Sequence, residues 1–291
     1  MKIAIVTDST CYLSDKQIHD NNITVIPITV VLDGVTYDEG KDITTNEFFK
    51  KMSLSSSFPS TSQPPLGEIV NIYKSLANKG YTDIISIHIA STISGMVNTL
   101  RSVAKTINDT NIYVFDSHIT TALMGTMVLK ASEMAKEGYD PHTIIEVLKR
   151  LRNTADCYFV VNDLKNLVKG GRLSNAAAFI GGLLQIKPIL TFNDNDKIVA
   201  IEKIRSLKRA YNRIECLFNE KLSKINYPIR CFSISDDKET ALSFKKRIND
   251  KYPNIPVDIG YFGPVIGSHL GIKSLGFGWM EDYKKIKIDA K

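Results

Sequence analysis

The chain has 291 residues, 43% hydrophobic and 23% charged, with a formal net charge of +6; this length favours two domains and this composition an ordinary globular protein. No uninterrupted apolar run approaches the ~20 residues of a membrane span, and the N-terminal run Ile3–Val6 stops too early for a signal peptide. The four cysteines, Cys11, Cys157, Cys216 and Cys231, form no CxxC and no zinc-like spacing with the five histidines, which points to reduced thiols in a cytoplasmic protein.

Taken in chain order, Ile3–Thr7 predicts a short buried strand ending at Asp8-Ser9-Thr10, and Ile23–Leu32 a second β-rich run. Asp33-Gly34 is a hairpin turn signal, with Val35–Tyr37 returning. Thr44-Thr45-Asn46-Glu47 reads as a capping box opening a helix over Phe48–Met52. Pro64-Pro65 starts a helix to about Asn78, closed by Gly80. Strands at Ile84–Ile89 and Ile112–Phe115 alternate with helices at Met96–Ile107, Thr121–Lys136 and Pro141–Arg152. This alternation predicts a parallel, doubly wound sheet whose ligand edge lies beyond the carboxyl ends of its strands.

A second domain is expected from Tyr158, dividing the chain into 1–157 and 158–291. It opens with a strand at Tyr158–Val161, a short helix at Asp163–Val168 and the loop Lys169–Ser174, followed by a greasy helix over Ala176–Ile186. Strands at Pro188–Phe192, Ile198–Lys203, Arg230–Ser235 and Val257–Phe262, with helices at Ser206–Leu222 and Glu239–Asn249, make it a second α/β domain. Gly276-Phe277-Gly278 precedes no helix and carries no nucleotide-binding reading.

Two hydroxyl-rich segments stand out, Ser60-Thr61-Ser62-Gln63 before one helix and Ser91-Thr92-Ile93-Ser94-Gly95 before another. Hydroxyls beside free backbone N–H groups hold carboxylates or phosphates; the plain alternative for Thr61, Ser62 and Ser94 is an ordinary N-cap. Asp8 and Asp116 read as turn or capping aspartates. Arg172, behind Gly170-Gly171, either caps its loop or joins Lys169 at an anion site. His269 lies among Gly263, Gly267 and Gly271, where the backbone can approach a neighbour closely. Lys203, Arg205, Lys208, Arg209 and Arg213 at helical spacing form a solvated face or a docking surface for an acidic partner. Ala176–Ala178 with Gly181-Gly182 are either core or the wall of a slot for an alkyl chain, where each buried CH₂ contributes about 0.8 kcal/mol.

The stretches Val6–Thr10, Thr61-Ser62-Gln63-Pro64, Ile93-Ser94-Gly95, Phe115-Asp116-Ser117, Gly171-Arg172-Leu173-Ser174 and Gly263–Gly271, in this order over nearly the whole chain, resemble the DegV family of bacterial fatty-acid-binding proteins. The resemblance implies a two-domain α/β fold that encloses one long-chain fatty acid and needs no cofactor. It places the carboxylate at Thr61 and Ser94, with Ser62, Gly95, Arg172 and His269 around the head group and Arg205 facing a partner. That partner would be the ATP-binding subunit of a fatty acid kinase, which phosphorylates the carried carboxyl group. The carrier would act in phospholipid synthesis with at most transient membrane contact. The chain itself carries no phosphate-binding glycine loop, G-x-S-x-G elbow or paired metal-binding histidines. The competing reading, a stand-alone hydrolase or phosphotransfer enzyme, requires Asp8 or His269 within hydrogen-bond reach of Ser94. The charge excess is too weak for a nucleic-acid binder.

Overall fold

The computed structural model describes residues 2–162, 164–178 and 186–288. These form two compact units, one running to Arg152 and taking in Phe262–Ser268, the other spanning Asn153–Tyr261 and continuing from His269. The chain therefore returns to its first unit, a return that contiguous domains of 1–157 and 158–291 lack.

The first unit begins with β1 (Ile3–Asp8), a 3-10 turn (Ser9–Cys11), α1 (Asp15–Asp20), β2 (Ile23–Ile26), β3 (Thr29–Leu32), β4 (Val35–Asp38) and α2 (Thr45–Leu54). It continues through β5 (Ser60–Ser62), α3 (Leu66–Asn78), β6 (Asp83–His88), α4 (Met96–Ala104), β7 (Asn111–Asp116) and α5 (Thr121–Lys136) to α6 (Pro141–Thr154). Four of the strands form a parallel sheet in the order β2-β1-β6-β7. Consecutive apolar residues fill it because both faces are buried: Ala4, Ile5 and Val6 of β1 and Ile84, Ile85 and Ile87 of β6 all lie in the core. The strands β1, β6 and β7 end on Asp8, His88 and Asp116, so polar residues collect at the carboxyl edge.

The β-rich run at Ile23–Leu32 is two strands rather than one. Pro27, which lacks an N–H, interrupts it, and the second half joins a separate antiparallel sheet, β4-β3-β5. The β3–β4 hairpin turns through Asp33 and Gly34, both at positive φ (52° and 77°), the geometry whose twist matches the flanking strands. The Thr44–Glu47 capping box is present in full. In α5, Gly125 is required by close approach: a Cβ there would lie 2.5 Å from the Cys11 carbonyl oxygen.

The second unit contains β8 (Asp156–Val160), α7 (Lys165–Lys169), β9 (Lys187–Phe192), β10 (Ile198–Ile204), α8 (Leu207–Leu222), β11 (Ile229–Ser235), α9 (Lys238–Lys251) and β12 (Val257–Tyr261). After α10 (Pro264–Leu270), β13 (Leu275–Glu281) completes a six-stranded sheet in the order β10-β9-β8-β13-β11-β12. Leu275, Phe277 and Trp279 of β13 meet Phe218 of α8 and Phe244 of α9 in one buried cluster. The greasy-helix expectation is corrected where it is visible: Ala176–Ala178 form a 3-10 turn, and 179–185 lie outside the described residues.

Candidate functional site

The Thr61 segment is not a helix cap. Ser60–Ser62 is the short strand β5, held to β3 with Val30 opposite Thr61. The helix cap is Pro65, without a side-chain hydrogen bond. Sequence alone gave no signal for this strand, because three polar residues have no apolar alternation to read.

The next residue but one, Gln63, connects β5 to the second hydroxyl-rich segment. Its Oε1 accepts a hydrogen bond from Thr99 Oγ1 of α4 at 2.6 Å. Its amide lies over Gly95, where a Cβ would fall 2.4 Å from Gln63 Nε2. The segment carrying Thr61 and Ser62 is thereby tied to the turn carrying Ser94 and Gly95. Gly95 is the N-cap of α4 and has no side chain to occupy the free N–H groups. Ser94 Oγ accepts from Met96 N–H at 3.2 Å. This turn bond, from the residue before the cap, engages the Ser94 oxygen and leaves the hydroxyl proton to be donated. Thr61 and Ser94 are half-buried and Ser62 exposed, and the start of α4 beside Ser94 carries the partial positive charge that favours an anion.

The turn that carries Ser94 is held from three sides. Ile89 N–H donates to Asp8 Oδ2 at 3.0 Å and Ser91 N–H to Asp116 Oδ1 at 3.2 Å. Ala90 N–H donates to the Ile119 carbonyl at 2.9 Å, and Ser94 N–H returns to the Ala90 carbonyl at 3.1 Å. Asp8 and Asp116 are turn aspartates, as their sequence positions suggest. Asp8 is bonded to Thr10, His88 and Ile89 and not to Ser94, which removes Asp8 from the two alternative bases, Asp8 or His269, open to a stand-alone enzyme.

Arg172 and His269 come together in the second unit around Gly170. The His269 ring packs where a Gly170 Cβ would sit, 2.6 Å from Nδ1, and Arg172 Nη1 donates to the Gly170 carbonyl. Burial first, and the Arg172 charge second, push His269 down to about 4, so the imidazole is neutral at pH 7. It can then donate from only one ring nitrogen.

Arg205 is exposed at the junction between β10 and α8 and makes no hydrogen bond or ion pair among the described residues. The basic cluster around it differs from the expected helical face. Lys203 belongs to β10, and only Lys208 and Arg209 lie on the first turn of α8. Arg213 is neutralised by Glu202 at 2.8 Å and Glu220 at 3.1 Å. Among the described residues no group of His, Cys, Asp and Glu is arranged to hold a metal, and no helix is long and apolar enough to cross a membrane.

Glu39 was not legible as special in the sequence. It is buried, its Oε1 accepts from Tyr12 Oη at 3.0 Å and Val265 N–H at 2.8 Å, and burial pushes it up to about 7. The close backbone approach expected at the glycines is present here: Gly263 faces Glu39 and Tyr12, and Gly267 faces the Phe49 ring.

A parallel α/β unit with two hydroxyl-bearing segments joined at the carboxyl edge of its sheet, followed by a largely antiparallel α/β unit, defines the class of protein. A family model described as "Uncharacterised protein, DegV family" matches residues 2–282, and the chain belongs to the DegV family. It is 40% identical over 278 residues to a DegV domain-containing protein of Listeria innocua, covering 96% of this chain and 98% of that one. The fold is similar to the crystal structure of DegV, a fatty acid binding protein from Bacillus subtilis, with a TM-score of 0.87 at 40% identity over 97% of this chain and 100% of that chain. It is also similar to the fatty acid binding DegV family protein SAG1342 of Streptococcus agalactiae, with a TM-score of 0.88 at 34% identity over 97% and 99% of the two chains.

Proposed function

We propose that this chain binds a long-chain fatty acid, with the carboxylate accepting hydrogen bonds from Thr61 and Ser94, and presents it to a separate ATP-binding kinase subunit that phosphorylates it to an acyl-phosphate. The observation that carries the reading is the Gln63 tie, which joins the Thr61 strand to the glycine-capped start of α4. The fatty-acid-binding relatives at 40% and 34% identity supply the ligand class. In this reading Ser62, Gly95, Arg172 and neutral His269 are further ligand-binding residues, and Arg205 belongs to the surface that meets the kinase. No cofactor is needed. The tail wall is assigned to the small residues Ala177 and Ala178, exposed in their 3-10 turn, and to Gly181 and Gly182 outside the described residues. The protein would work in the cytoplasm as a lipid-binding carrier for phospholipid synthesis.

The test is palmitate retention after delipidation. A hydrogen bond to a charged group contributes about 1.5–3 kcal/mol, so the double variant Thr61→Val, Ser94→Ala should bind palmitate more weakly by at least about tenfold per bond lost. Undiminished retention in that variant would rule out the head-group assignment.

A further inference from the structure

Beneath the Ser94 turn lies a run of four polar side chains, all fully buried: Tyr73 of α3, Ser86 and His88 of β6, and Asp8 of β1. Tyr73 Oη lies 2.7 Å from Ser86 Oγ, Ser86 Oγ 2.6 Å from His88 Nε2, and His88 Nδ1 3.0 Å from Asp8 Oδ2. This is the connectivity of a nucleophile relay. Ser86 nevertheless has no exposure, and both of its hydrogen bonds go to protein, so it cannot reach a substrate.

The donors along this run are determined by counting protons from the Tyr73 end. Burial pushes the Tyr73 phenol up to about 12, so it keeps its proton, and Ser86 is its hydrogen-bond partner. An unpaired buried donor is costly. Tyr73 therefore donates to Ser86, Ser86 donates to His88 Nε2, and the histidine proton lies on Nδ1, where it donates to Asp8. The same Asp8 oxygen accepts Ile89 N–H, and the other accepts Thr10 N–H at 3.0 Å and Thr10 Oγ1 at 2.5 Å. From Ile89 the chain reaches Ala90, whose carbonyl accepts Ser94 N–H.

We propose that Tyr73, Ser86, His88 and Asp8 form one oriented hydrogen-bond chain that holds the Ile89–Ser94 turn, making His88 a positioning residue for Ser94. Its consequence for binding rests on the reading of Ser94 as a carboxylate donor; its consequence for the turn does not. Asparagine and glutamine separate the two ends of the imidazole. An Asn amide can occupy the Nδ1 position and still donate to Asp8, whereas a Gln amide reaches toward the Nε2 position and leaves Asp8 without that donor.

The experiment has two arms, each on the full chain. Nitrogen-15 NMR of the imidazoles, with His88 assigned by its loss in the variant, should show a protonated Nδ1 and a bare Nε2; a protonated Nε2 overturns the orientation. Amide hydrogen exchange at Ile89 and Ser94 should accelerate about tenfold or more in His88→Gln and return toward wild type in His88→Asn. Palmitate affinity should follow the same order, with His88→Gln resembling Ser94→Ala. If both His88 variants exchange and bind like wild type, or both lose the turn equally, the positioning role is wrong. Should His88→Gln fail to fold, Tyr73→Phe, which removes only the terminal proton donor, must still shift the His88 nitrogen resonances, and an unchanged spectrum overturns the chain. Wild-type palmitate binding in Ser94→Ala would instead sink the head-group reading, while the exchange arm still decides this one.

Discussion

Burial moves the protons of Glu39 and His269 in opposite directions. Glu39 rises from 4.5 to about 7, and His269 falls from 6.5 to about 4. Between pH 4.5 and 7 the folded protein holds a proton on Glu39 that the unfolded chain has lost, so this group's contribution to stability falls as pH rises. Between pH 4 and 6.5 the unfolded chain holds a proton on His269 that the folded protein refuses, so that contribution rises with pH. Each amounts to at most about 3 kcal/mol, and the two slopes largely offset where the windows overlap. The prediction is that Glu39→Gln uncovers a stability that climbs with pH through this range, and His269→Asn one that declines. Calorimetric melting series at pH 4.5, 5.5 and 6.5 check both, and parallel profiles for the two variants and wild type would refute the assignment.

At the scale of elements, α5 shows how a helix can depend on its weakest helix former. A free helix gains about 1 kcal/mol from Gly→Ala. At position 125, however, the new Cβ would lie 2.5 Å from the Cys11 carbonyl oxygen and 3.1 Å from Leu13 Cδ2. Backbone cannot rotate away as a side chain can, and overpacking costs about 1–3 kcal/mol. Gly125→Ala should therefore lower the melting temperature, and a rise would show that α5 can lift off the Ser9–Cys11 turn at little cost. The helix α10 is the opposite case, an element bounded by local signals. Pro264 opens it and Gly271, at φ 74°, follows its end, the usual start and stop residues. Gly276-Phe277-Gly278, which carries no nucleotide-binding reading, lies inside the strand β13, where its glycines mask the apolar alternation. The large residues that alternate with them, Leu275, Phe277 and Trp279, point toward the core cluster with the strand period of two.

For the whole molecule, the central issue is division of labour. Carboxyl phosphorylation requires a nucleotide site and a clamp on the transferring phosphate. The proposed reading places these on a partner and leaves Arg205, with Lys208 and Arg209 on the adjoining first turn of α8, to meet its acidic surface. Arg205→Ala should leave palmitate retention unchanged and reduce acyl-phosphate formation when the kinase subunit is supplied. Acyl-phosphate made by the isolated chain with ATP and Mg²⁺ would overturn the carrier reading. The single tryptophan, Trp279, is buried in the second unit, so its fluorescence provides a check that the variant remains folded there.

The α/β class, the helix start at Pro64-Pro65 and the capping box at Thr44 were determined by sequence alone, because periodicity, proline and caps act over a few residues. The same is true of the two hydroxyl-rich segments as candidates. What only the tertiary structure decided is which of these residues meet. Thr61 lies in a strand because β3 is available to pair with it, Gln63 closes over Gly95 because glycine leaves room, and Arg172 meets His269 because Gly170 does the same. Asp8 and His88 are far apart in sequence and touch because β1 and β6 are neighbours in one parallel sheet, and Tyr73 of α3 joins them through Ser86. Such contacts depend on strand order and on the absence of a Cβ at particular points, and no local pattern in the chain encodes either.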